Sequence, residues 1–130
     1  MILKLDMAGA TPIYQQIRNQ IVFGVATGQL RAGEPLPTVR QVPGDVGVNP
    51  MTVSKAYTLL KEEGVIVIDR RHGAQISSAQ PRGKPLDSEF DERASLLISE
   101  ARMKGASEET LQSHILRLIA DVYRRKEVSQ

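Results

Sequence analysis

Apolar residues recur at helical spacing over Ile13–Val25, where Ile13, Ile17 and Ile21 form a stripe joined by Tyr14 and Val25. Thr11-Pro12 just ahead of this stripe predicts an N-cap followed by proline at the first helical position, and Gly28 predicts the stop. Upstream, Leu3-Lys4-Leu5 alternates and predicts a short strand. After a turn over Arg31–Pro37, a second helix is expected from Thr38 towards Val46, ended by Gly47 in the left-handed region. Asn49-Pro50 repeats the cap-and-proline signal and opens a third helix to about Glu63, with Val53, Ala56, Tyr57 and Leu60 on one apolar face and Gly64 as its end. Val65–Ile68 is β-branched throughout and too short for a helix, so it predicts a strand; Asp69–Gly73 turns and Ala74–Ser77 returns.

The stretch from Ser77 to Pro85 holds two prolines, a glycine and no apolar residue larger than alanine. It predicts a linker over 79–86 between an N-terminal domain, 1–78, and a second element, 87–126. In that second element Phe90, Ala94, Leu97, Ile98 and Ala101 stripe one helix. Gly105 breaks the chain, Ser107 caps the next helix, and Leu111, Ile115, Leu118, Ile119 and Val122 stripe it. A helical hairpin this small cannot bury both stripes by itself. Homodimerisation is therefore expected through Phe90, Leu97, Ile98, Leu111, Ile115, Leu118, Ile119 and Val122, with folding back onto the N-terminal domain as the alternative.

The fold class that results is α+β, mainly α: an N-terminal winged helix-turn-helix of three helices plus a β-hairpin, followed by a two-helix C-terminal hairpin. Composition narrows the function. The 130 residues are 41% hydrophobic but only 4% aromatic, so the core must rest on Ile, Val, Leu and Ala. No cysteine is present, which removes disulfides, thiolate metal sites and thiol catalysis. The two histidines, His72 and His114, lie on separate elements and do not suggest a metal site. No cofactor is implied, and neither a phosphate-binding glycine loop nor a Ser/His/Asp arrangement suggests an enzyme. The N-terminus lacks the apolar run of a signal peptide and no segment is long enough to span a bilayer, so a cytoplasmic location without membrane contact is expected. The net charge of +2 resides in residues 1–78, which carry 8 Lys/Arg against 6 Asp/Glu. That excess permits an anionic partner but does not demand one.

A winged helix suits duplex DNA because its third helix can present a polar N-terminal face to the major groove, where base edges carry distinct donor and acceptor patterns. Opposite the apolar face of that helix stand Met51, Thr52, Ser54 and Lys55, all small enough for a groove. Pro12-Ile-Tyr-Gln-Gln-Ile17, Gly28-Gln-Leu-Arg-Ala-Gly33, Leu36-Pro-Thr-Val-Arg40, Gly47-Val-Asn49, Thr52-Val53, Ala56-Tyr57 and Glu63-Gly64 follow in order and spacing. Over roughly residues 2 to 77 this pattern resembles the N-terminal domain of GntR-type bacterial regulators, and the short two-helix tail is similar to that of the YtrA-type branch. The resemblance implies a regulator of transcription, most relatives being repressors, bound to a double-stranded operator. It implies DNA contact by Arg40, by the opening turn of the third helix including Asn49, and by a wing tip of Arg70, Arg71, His72 and Gly73. Two departures stand out. Pro50 and Ser54 occupy places where relatives commonly carry arginine, and Pro43-Gly44 interrupts the second helix, where a regular helix would lose a hydrogen bond at a cost of about 3 kcal/mol. The competing reading is a winged helix used for protein–protein contact. No effector site is visible in the sequence.

Overall fold

The computed structural model describes residues 4–36, 49–78 and 85–124. The described residues divide into two compact units, one of residues 4–78 and the other of residues 85–124. The helix expected over 38–46, with Arg40, Pro43, Gly44 and its terminating Gly47, lies outside the described residues, as does most of the linker.

In the first unit, α1 spans Ile13–Ala26 and buries Ile17, Ile21 and Gly24. Its start corrects the sequence reading by one residue. Pro12 is itself the N-cap, with extended geometry (φ −57°, ψ 149°) and no side-chain cap bond, so Thr11 does not cap. The Gln16 amide instead donates to the Thr11 carbonyl at 2.8 Å, which ties the preceding residue to the helix without capping its free N–H groups. Gly28 adopts φ 83° just past the C-cap Thr27, whose buried hydroxyl is satisfied by the Phe23 carbonyl at 2.9 Å.

The short N-terminal strand does not form a ladder among the described residues. Two side-chain amides stand in for a neighbouring strand. Gln16 accepts from Asp6 N–H at 2.8 Å and donates to the Asp6 carbonyl at 2.9 Å. Gln20, one turn on, accepts from Lys4 N–H at 3.0 Å and donates to the Lys4 carbonyl. Each glutamine thus pairs one residue's N–H and C=O, and Leu5 between them packs on the core. Leu3 lies outside the described residues; at Lys4 and Leu5 the backbone's partner is a helix face.

Helix α2 (Pro50–Glu62) corresponds to the third helix of the sequence reading. Asn49 caps it by accepting from Met51 N–H at 2.8 Å, with Pro50 in the first turn. Gly64, at φ 80°, lets the chain leave and enter a hairpin of β1 (Ile66–Asp69) and β2 (Gly73–Ile76), one residue offset from expectation. The strands pair antiparallel from Ile66 opposite Ile76 to Asp69 opposite Gly73. Only Ile66 of β1 points inward; Val67 and Ile68 are exposed.

Within 31–37, which the sequence presents as a plain turn, the described residues 33–36 form a second pairing with β2. Gly33 N–H donates to the Ile76 carbonyl at 2.8 Å, Ile76 N–H to Glu34 at 2.9 Å and Leu36 N–H to Ala74 at 2.8 Å. Pro35 sits opposite Gln75 as an isolated bridge and needs no donor there. This anchors Leu36 in a core made with Ile17, Ile21, Val53, Ala56, Tyr57, Leu60, Ile66, Ala74 and Ile76. At its edge Arg18 of α1 grips Glu63, at the end of α2, through two bonds of 2.9 and 2.7 Å. Hydrogen bonding to Glu63 is the main cause of a raised Arg18 pKa, and partial burial opposes it.

The second unit is a hairpin of α3 (Ser88–Met103) and α4 (Glu108–Tyr123). Asp87 caps α3 by accepting from Phe90 N–H at 3.0 Å, and Ser107 caps α4 by accepting from Thr110 N–H at 3.1 Å. Acidic residues occupy both first turns, where they complement the helix dipole. Gly105, at φ 103°, makes the turn. Neither helix contains a buried residue. Among the described residues this unit has local order without a core of its own.

Candidate nucleic-acid interface

The candidate DNA-facing residues fall into two groups on the first unit. The first occupies the opening turns of α2. Val53, Ala56, Tyr57 and Leu60 bind this helix to the core, so helical geometry leaves Met51, Ser54 and Lys55 exposed and Thr52 half-buried. Met51 is the extreme case at 79% exposure, which makes it no part of the core. Asn49 is committed to its capping bond but remains exposed. The first turn of α2 carries no acidic residue, so the positive end of its dipole is not neutralised locally. Thr58 returns its hydroxyl to the Ser54 carbonyl at 2.9 Å.

Lys55 is held by a contact that the sequence reading does not anticipate. Its Nζ lies 4.1 Å from the centroid of the Tyr14 ring. Helical spacing puts Tyr14 on the buried stripe of α1, yet it is only half-buried and lends one ring face to the lysine. Its position at the rim of the stripe is the available signal; the partner cannot be read without the packing of α1 against α2.

The second group is the hairpin tip. Arg70, Arg71 and His72 are exposed, and Gly73 takes φ 71° with no atom within 4 Å of where a Cβ would stand. Asp69 organises the turn by accepting from Arg71 N–H at 2.7 Å, with His72 Nδ1 at 3.3 Å from its other oxygen. The Arg71 N–H is the chief cause, and His72 a lesser one, of an Asp69 carboxyl pKa below the ordinary value. The one acidic side chain of the turn is thereby tied to the backbone, though still exposed, beside two exposed arginines. Arg40, the remaining candidate, lies outside the described residues.

The eight candidate dimerisation residues differ in exposure. Leu111, Ile115 and Val122 are half-buried, alongside Ala94 and Ala101. Phe90, Leu97, Ile98, Leu118 and Ile119 remain between 43% and 68% exposed. Leu96, Met103, Leu116 and Tyr123 are also exposed, and the sequence reading misses them because they fall off the main stripes. Among the described residues no helix is long and apolar enough to cross a membrane.

With this geometry in place, similarity to known proteins is extensive. Residues 11–76 match the family described as "Bacterial regulatory proteins, gntR family". The chain is 34% identical over 125 residues to the HTH-type transcriptional repressor YtrA of Bacillus subtilis strain 168, covering 93% of this chain and 95% of that one. A crystal structure described as a transcriptional antiterminator from Listeria monocytogenes EGD-e superposes with a TM-score of 0.83 at 26% identity, over 100% of this chain and 98% of its own. YtrA from Sulfolobus acidocaldarius, described as a GntR-family transcription factor, superposes with a TM-score of 0.55 at 32% identity, over 92% and 98%. The winged-helix layout and the helical tail are thus shared with transcription regulators over nearly the whole chain.

Proposed function

This chain belongs to the gntR family of bacterial regulatory proteins and is a DNA-binding transcription regulator, and on that premise we propose that it is a cytoplasmic, sequence-specific repressor that binds an inverted-repeat operator as a homodimer. The observation that carries this reading is the opening of α2, where an unneutralised helix N-terminus stands beside exposed polar Ser54 and Lys55 and the exposed apolar Met51. In this reading Met51, Thr52, Ser54 and Lys55 enter the major groove. Asn49 caps the helix close to the backbone, and Arg40 contacts phosphate or base. Arg70, Arg71, His72 and Gly73 form a wing that follows the adjacent minor groove, where the glycine allows close approach.

The dimer is proposed to form through the hairpin of 87–126, tethered by 79–86 to the DNA-binding domain of 1–78. Phe90, Leu97, Ile98, Leu118 and Ile119 face the second copy, while Leu111, Ile115 and Val122 hold the hairpin together. An apolar stripe left this exposed favours association. Repression is supported by the Bacillus subtilis relative, which is named a transcriptional repressor. Two recognition helices related by a two-fold axis require half-sites about one helical turn apart, roughly 34–36 Å. Selection from random duplexes with the full chain tests this. Inverted repeats with that spacing are expected, and recovery of single, non-palindromic half-sites alone would refute dimeric recognition.

A further inference from the structure

Lys55 and Tyr14 come from different helices, 41 positions apart, yet meet with the ammonium 4.1 Å from the ring centroid. That is well inside the distance at which a ring quadrupole attracts a cation. Tyr14 packs against the core, so its ring is a fixed platform, whereas Lys55 is exposed on the DNA-facing side of α2. A free lysine side chain loses rotamer freedom when it clamps a phosphate. An ammonium has three donors, and a ring occupies only one side of it, leaving the rest for an anion.

We propose that Tyr14 is a positioning residue for DNA binding, holding the Lys55 ammonium in place for a DNA phosphate before the duplex arrives. This rests on the reading above that Lys55 faces DNA. The ring does not add charge; it removes part of the ordering cost. Losing the ring therefore weakens binding without changing how many phosphates are neutralised, whereas losing the lysine changes both.

The test uses the full chain and a short mixed-sequence duplex, whose affinity is carried by phosphate neutralisation and is titrated against salt. Lys55→Met should weaken binding and reduce the slope of log K against log salt by about 0.9. Tyr14→Leu should weaken binding about two- to fivefold, as expected for an exposed cation–π contact, and leave the slope at its wild-type value. Tyr14→Phe should restore wild-type affinity, since the ring face is kept. Tyr14→Leu added to Lys55→Met should cause no further loss. In the free protein the Lys55 side-chain protons should show a ring-current shift that vanishes in Tyr14→Leu. Equal weakening by Tyr14→Leu with and without Lys55 would assign Tyr14 a purely structural part and overturn the proposal. Unchanged or tighter binding by Tyr14→Leu would mean that the ring contributes nothing or holds the lysine away from DNA, and would overturn it as well. If Lys55→Met left affinity and slope untouched, the DNA role of Lys55 itself would fall and the proposal with it.

Discussion

Gly24 is a glycine inside a helix, and replacing it with alanine sets two effects of opposite sign against each other. Gly24→Ala gains about 1 kcal/mol from helix propensity, since it removes backbone freedom from the unfolded chain. Against this, the new Cβ would stand 2.8 Å from Leu30 Cδ1 and 3.0 Å from Leu30 Cγ, where carbon pairs prefer about 3.5–4.0 Å. Rotation of Leu30 could relieve the first overlap but not readily the second, which involves the branch point. Retreat of the whole residue is also resisted, because Leu30 N–H donates to the Gly24 carbonyl at 3.0 Å. Overpacking of this kind costs about 1–3 kcal/mol. The steric cost therefore wins, and Gly24→Ala should destabilise the protein by about 1 kcal/mol. For a unit of this size that lowers the melting temperature by about 4–8 °C. The assay is a double-mutant cycle by thermal denaturation with Leu30→Ala. In the Leu30→Ala background the clash is gone, and the same glycine substitution should stabilise by up to about 1 kcal/mol. A raised melting temperature for Gly24→Ala in the wild-type background would show that Leu30 yields freely and would refute the reasoning.

Three other expectations follow from the geometry. Burial pushes the Tyr57 hydroxyl up to about 12, so the folded chain keeps a proton that the unfolded chain releases near pH 10. Stability should therefore be intact below about pH 10 and fall between about pH 10 and 12 by about 3 kcal/mol, a slope that Tyr57→Phe removes in urea titrations; an identical pH dependence in both proteins would contradict it. Arg70→Ala and Arg71→Ala should weaken binding to all duplexes alike and make the salt dependence shallower by about 0.9 for each phosphate that is no longer neutralised, and an unaltered slope would remove the wing from the interface. Ending the chain before Asp87 should yield a monomer with much weaker operator binding, because two linked half-site binders act at high effective concentration; sedimentation of a stable truncated dimer would place the interface elsewhere.

Local chemistry was legible from the residues alone. Asn49 and Ser107 announce helix starts because their short side chains reach a backbone N–H two or three residues on. Gly28, Gly64 and Gly105 announce ends because the left-handed geometry observed there is cheap only without a Cβ. The periodic stripes of Ile17, Ile21, Val53, Tyr57 and Leu60 sort inside from outside for the same local reason. The exposed polar face of α2 follows from its buried one, and the ordered motif pieces pointed to the family.

What sequence could not supply depended on partners that no local signal names. Thr11-Pro12 carries a regular cap signal, yet Gln16 reaches the Thr11 carbonyl and Pro12 takes the cap position. Leu3-Lys4-Leu5 alternates like a strand, but only the folded chain brings Gln20 to the Lys4 backbone and Gln16 to that of Asp6. Glu34 and Leu36 read as turn residues until β2 arrives beside them. Arg18 meets Glu63 and Tyr14 meets Lys55 through the crossing of α1 and α2, which no periodicity within either helix encodes. A cap or a glycine is decided by atoms a few bonds away, so its energy is a property of the local sequence. Platforms, clamps and borrowed ladders are decided by which surfaces close packing brings together, and that belongs to the tertiary structure alone.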